Sequence, residues 1–119
     1  MTNLERAQDI YELLAKGQLF DAFEKYYAEN VVMEDIGENN RRIGKAACRI
    51  HELEFMNAVE AFLGMGVDGF TVSADGATVM IENWLELQFK GAPAPIKMAQ
   101  VAVQQWENGL IVNERFYHK

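Results

Sequence analysis

The sequence predicts an α+β fold: a cone-shaped, strongly curved antiparallel β-sheet, with three helices in the N-terminal half enclosing a pocket. Three observations carry this. Helical periodicity recurs three times before residue 64 and not after it. Asp75-Gly76 and Asn108-Gly109 each lie between long β-rich runs, the strongest short-range signal of a hairpin. The strands therefore follow one another through hairpins instead of alternating with helices, which separates α+β from α/β. With 119 residues, half of them apolar, the chain reads as a single domain over 1–119 that can bury a core without metal or disulfide.

Residues 4–15 carry Leu4, Ala7, Ile10, Tyr11, Leu14 and Ala15 at the spacing of an amphipathic helix, with Asn3 as the expected N-cap and Gly17 just past the end. A shorter helix fits 19–28, where Phe20, Phe23 and Tyr27 recur on one side. A strand follows over 31–36, in which Val31, Val32 and Met33 run into Glu34 and Asp35. After the polar loop GENNRRIGK, residues 45–63 read as a long helix. Ala47, Cys48, His51, Phe55, Val59 and Phe62 form its stripe, and Gly64 and Gly66 close it. FTVSA and ATVMIENWLELQF make the first hairpin. GAPAP holds both prolines outside any strand interior, and KMAQVAVQQW and LIVNERFYH make the second hairpin.

The formal charge of −7 argues against nucleic acid and anionic membrane surfaces as partners, since both need a basic face. No apolar run approaches the about 20 residues that cross a bilayer. MTNLERAQDI has no apolar centre and does not read as a signal peptide. A lone Cys48 cannot form an intrachain disulfide, which suits the cytoplasm. No cofactor is expected.

Period two divides each strand into two faces. One face carries Asn83, Leu85, Leu87 and Phe89, then Gln100, Gln104 and Trp106, then Glu114, Phe116 and His118. From these come the ligand-contact candidates Asn83, Gln100, Gln104, Trp106, Glu114 and His118, joined by His51 and Phe55 from the third helix. The other face, with Trp84, Ala99, Val101 and Val103, would leave an apolar patch in water, so a homodimer through the sheet is expected.

The run YYAENVVMEDIGENNRRIGKAA and the order of elements resemble the nuclear transport factor 2-like superfamily. The pattern is most similar to that of the SnoaL-like polyketide cyclases and ketosteroid isomerases, with Y/F-A-x-x-V-x-x-x-D, a short loop ending in Gly and then the long helix. The resemblance implies that Asp35 falls where those isomerases have the base that shuttles a proton. It implies that Tyr11 falls where a Tyr donates to the enolate oxygen. The isomerases' third group, a protonated Asp on the penultimate strand, has no counterpart here. MAQVAVQQW contains no acid, and Ala102 stands near that place between Gln100 and Gln104.

Physical chemistry sets conditions on these residues. A base at Asp35 must not be over-stabilised by cations, so Arg41 and Arg42 are expected in a solvated loop. Otherwise Asp35 is a strand-end residue that caps its turn. Tyr11 is a donor into a dry cavity or a packing aromatic. His51 with Glu52, and His118 with Glu114, could form a base–orienter pair. Metal is the poorer reading, because no local His spacing suits it. Three functions stay open. One is an isomerase or cyclase that moves a proton on an apolar, carbonyl-containing small molecule. Another is a non-catalytic ligand-binding or dimerisation module. The third is a water-activating hydrolase of epoxide type. The fold does not choose among them.

Overall fold

The computed structural model of the chain describes residues Met1–Lys119. Its elements run α1 (Asn3–Ala15), α2 (Leu19–Tyr26), β1 (Tyr27–Asp35), β2 (Arg42–Ile43), α3 (Lys45–Ala58), β3 (Val59–Val72), β4 (Thr78–Phe89), β5 (Ile96–Glu107) and β6 (Leu110–His118). Three helices and one six-stranded sheet, ordered β2-β1-β6-β5-β4-β3, make the α+β fold expected from the sequence. No helix is long and apolar enough to cross a membrane.

α1 starts one residue earlier than the periodicity suggests, and Thr2 is its cap in place of Asn3. The Thr2 hydroxyl accepts from the Glu5 amide at 3.1 Å, and the Glu5 carboxylate accepts from the Thr2 amide at 2.8 Å. This reciprocal box satisfies two amide donors that a helix start leaves free. The Asn3 side chain donates instead to the Gly76 carbonyl at 2.9 Å, tying α1 to the β3–β4 turn. α2 ends two residues early, because Tyr27 already belongs to β1.

The largest departure is at α3, which stops at Ala58. Residues 59–72, including Gly64 and Gly66, form a strand of 14 residues. β3 pairs with β4 along the whole of that strand, from Val59↔Phe89 to Val72↔Val79. The glycines do not close a helix; they make room for Trp84. A Cβ on Gly66 would lie 2.5 Å from the Trp84 indole nitrogen, and one on Gly64 would lie 3.8 Å from the ring. A run such as VEAFL suits either periodicity, and tertiary pairing decides.

The sheet is mixed, where an antiparallel one was expected. β1 lies parallel to β6, with Met33↔Glu114 and Asp35↔Phe116, while the other neighbours are antiparallel. A parallel pair needs a long connection, and most of the chain separates these strands. Irregular pairing within β1, β3 and between β5 and β6 curves the sheet. Ala7, Ile10, Phe23, Val31, Val79, Ile81 and Ile111 belong to one buried core between the helices and the sheet, and Cys48 is fully buried with them.

Candidate functional site

A cavity of about 740 Å³ lies between the helices and the concave face of the sheet, a size that suits a small molecule. Its walls are mostly apolar, with Ile10, Leu14, Phe23, Met33, Phe55, Leu85, Leu87 and Phe116 among them. Polar side chains enter as two separate clusters.

The deep cluster centres on Glu114, which is 1% exposed. β6 places it between Met33 of β1 and Gln104 of β5. One carboxyl oxygen accepts a hydrogen bond from the Tyr27 hydroxyl. The other accepts from the Gln104 amide nitrogen at 2.9 Å, and the Gln104 carbonyl accepts from the Trp106 indole at 3.2 Å. Burial pushes Glu114 up to about 7, although its two donors and the Arg42 charge pull the other way. Glu52 faces the same cavity from α3, and burial, then the charge on Glu114, push it up to about 7 as well. The charge on Glu114 thus disfavours a second charge at Glu52.

Tyr11 reaches this cluster from α1. Burial and the neighbouring Glu114 drive its pKa upward, so it stays protonated. Its hydroxyl accepts from the Asn83 amide at 3.2 Å, and no protein acceptor takes its own proton. Asn83 is itself fixed: its nitrogen also donates to the Ile81 carbonyl at 3.0 Å, and its oxygen accepts from Gln100 at 3.2 Å. The phenol proton is therefore available to a ligand oxygen.

The second cluster is built around Asp35. The loop after β1 folds back, with Gly37 and Asn39 at positive φ, so that β2 pairs with β1 and Arg42 lies opposite Met33. One Asp35 oxygen contacts the His118 ring nitrogen at 2.7 Å. The other accepts from Asn40 at 2.8 Å and from Arg42 at 3.1 Å. Burial alone would raise the Asp35 pKa, but the hydrogen bonds from His118 and Asn40 and the charge of Arg42 prevail and lower it. The expectation of an Asp35 free of cations is thus corrected. Arg42 is not a solvated loop residue, since its side chain is only 10% exposed.

His51, Phe55, Asn83, Gln100, Gln104, Glu114 and His118 all line the cavity with Tyr11 and Asp35. His51 keeps Nδ1 buried without a partner, and burial and Arg42 push its pKa down. Phe55 packs edge-on against Phe89. Trp106 is the exception. It does not line the cavity but is buried behind Gln104, edge-on to Tyr26. Strand period gives the face of the sheet but not the depth along the cone. Asp35, Glu38 and His118 bring ligand-type atoms within 4.8 Å of one another. The Asp35 oxygens are already engaged, one of them by a guanidinium, an arrangement that opposes a cation.

Tyr27 and Asn40 are site residues that the sequence did not single out. The periodicity puts Tyr27 on the stripe of the second helix, whereas the chain has already turned into β1 there and Tyr27 pairs with Ile111. Asn40 carries no spacing signal at all.

The SnoaL-like domain family model matches residues 1–118. Among curated proteins none matches by sequence. A candidate SnoaL-like polyketide cyclase from Mesorhizobium loti is 28% identical, with 98% of this chain and 99% of that one covered and a TM-score of 0.85. A candidate SnoaL-like polyketide cyclase from Jannaschia sp. is 14% identical, with 98% and 85% covered and a TM-score of 0.81. An LEH-like epoxide hydrolase of M. tuberculosis is 19% identical, with 98% and 78% covered and a TM-score of 0.76. The last two likenesses concern the fold alone.

Proposed function

The chain belongs to the SnoaL-like family, and from that starting point we propose an acid–base catalyst of the isomerase or cyclase type, acting on a mostly apolar small molecule with an enolisable carbonyl. The observation that carries this reading is the deep cluster: a buried carboxyl held near 7, beside a phenol whose proton no protein atom accepts. Two donors favour the charge on Glu114, so of the two carboxyls Glu52 is the better seat for a proton. The carbonyl oxygen accepts from Tyr11. Glu114 takes a proton from the adjacent carbon, the C–H electron pair forms the enolate, and charge develops on the oxygen facing Tyr11. Returning the proton to another carbon gives an isomerase; attack of the enolate carbon on a second carbonyl opens its C=O π bond, and the oxygen takes up the proton from Glu114, which gives a cyclase. Asp35, neutralised by its partners, is not the base in this scheme.

The test is uptake of deuterium from D2O into apolar enolisable ketones, followed by NMR. Exchange should rise with pH through about 7 as Glu114 deprotonates. Glu114→Gln should abolish it, and Tyr11→Phe should slow it about a hundredfold. Ketones that bind without exchange at any pH would favour the non-catalytic binding module.

The same proposal includes a cytoplasmic homodimer joined through the convex face of the sheet. Support comes from Met80 and Tyr117, both exposed there beside the half-buried Trp84 and Val101.

A further inference from the structure

We infer that Trp106 is a positioning residue. Its indole N–H fixes the orientation of the Gln104 amide, which in turn holds Glu114 in the form that accepts a proton. The inference rests on the reading of Glu114 as the base.

A glutamine amide has a donor end and an acceptor end, and nothing in Gln104 itself decides which end meets Glu114. The indole decides it. It can only donate, and it lies 3.2 Å from the Gln104 oxygen. The amide nitrogen is then left facing Glu114 at 2.9 Å. Turned over, the amide would set N–H against N–H where no water can intervene, since Gln104 is 0% exposed and Trp106 3%. Gln104 thus presents a donor to Glu114, as the Tyr27 hydroxyl does on the other oxygen. Two donors suit a carboxylate, which accepts at both oxygens, better than a carboxylic acid, whose proton occupies one. Trp106 does this without touching the cavity. The edge-on ring of Tyr26, 5.9 Å away, packs against the indole. The other groups that bear on Glu114 are Tyr11 on α1, Asp35 on β1, Arg42 on β2, and Cys48 and Glu52 on α3. None of them hydrogen-bonds to Trp106.

The experiment titrates the Glu carboxyl carbons of the whole protein by 13C NMR, with the Glu114 signal assigned by its loss in Glu114→Gln. Trp106 is replaced by Phe and, to keep the bicyclic shape while deleting only the N–H, by benzothienylalanine. Either change should raise the Glu114 midpoint by about one unit. The base limb of ketone exchange should move with it, at unchanged KM. Gln104→Leu should give a similar rise, and adding the Trp106 change to it should give no more. An unmoved midpoint in the benzothienylalanine protein would overturn the inference, as would a Trp106 effect that persists in the Gln104→Leu background. The two readings separate cleanly. A midpoint that moves in a protein without ketone exchange keeps the positioning role and removes the catalytic one. Exchange with an unmoved midpoint does the reverse.

Discussion

Three side chains from three segments meet the two oxygens of Asp35: Asn40 from the loop, Arg42 from β2 and His118 from the end of β6. The Arg42–Asp35 pair is largely out of water, with side chains 10% and 14% exposed. Removing one member of such a pair leaves the other charge buried and unpaired. Asp35→Asn should therefore cost about 3 kcal/mol in urea unfolding at pH 7. The sign of its pH dependence follows from the lowered native pKa. The ion pair stabilises above the ordinary carboxylate value and is lost as pH falls through the lowered one, so the gap between wild type and Asp35→Asn should close in acid. An Asp35→Asn protein as stable as wild type at pH 7 would contradict a structural role. The strand end at Asp35 is legible in VVMED. The landing of Arg42 is not, because it depends on a loop whose return runs through positive φ at Gly37 and Asn39.

Among the elements, β3 shows where local pattern gives out. Its residues alternate poorly between buried and exposed, and one of its edges has no partner, so no clean period marks it. The helical stripe beginning at Ala47 simply continues through Val59 and Phe62 on paper. What places 59–72 in the sheet is β4, above all the Trp84 indole lying over Gly64 and Gly66, with the Lys97 ammonium 4.4 Å from the ring centre. Gly66→Ala should force the indole aside and cost about 1–3 kcal/mol. Gly64→Ala, at an ordinary 3.8 Å, should be nearly neutral. Thermal melts of the two variants test this, and equal melting temperatures would refute it. The hairpins, by contrast, were legible because their chemistry is local. Asn108 and Gly109 both take the positive φ that their tight turn demands, and Gly76 does so in the first hairpin. The parallel β1–β6 pair has no local signature, so the sequence could not show it.

At the scale of the molecule, one face of the sheet builds the cavity and the other looks outward. The inward side chains were legible by counting in twos along β4, β5 and β6, which is why Asn83, Gln100, Gln104, Glu114 and His118 could be grouped before the fold was known. Their depth was not, and Trp106 shows the difference. The outward face makes the assembly prediction. Equilibrium sedimentation at micromolar concentration should report a dimer, and Val101→Lys should dissociate it, whereas a wild-type monomer would refute the shared face. Three hydrogen bonds of the site join residues far apart in the chain. Tyr27 and Glu114 are 87 residues apart, Asp35 and His118 83, and Tyr11 and Asn83 72. Each closes a loop of most of the chain, an entropically slow event that helices and hairpins do not share. Ligand affinity should therefore appear late in refolding, after most of the helical ellipticity, in step with the docking of β6 against β1.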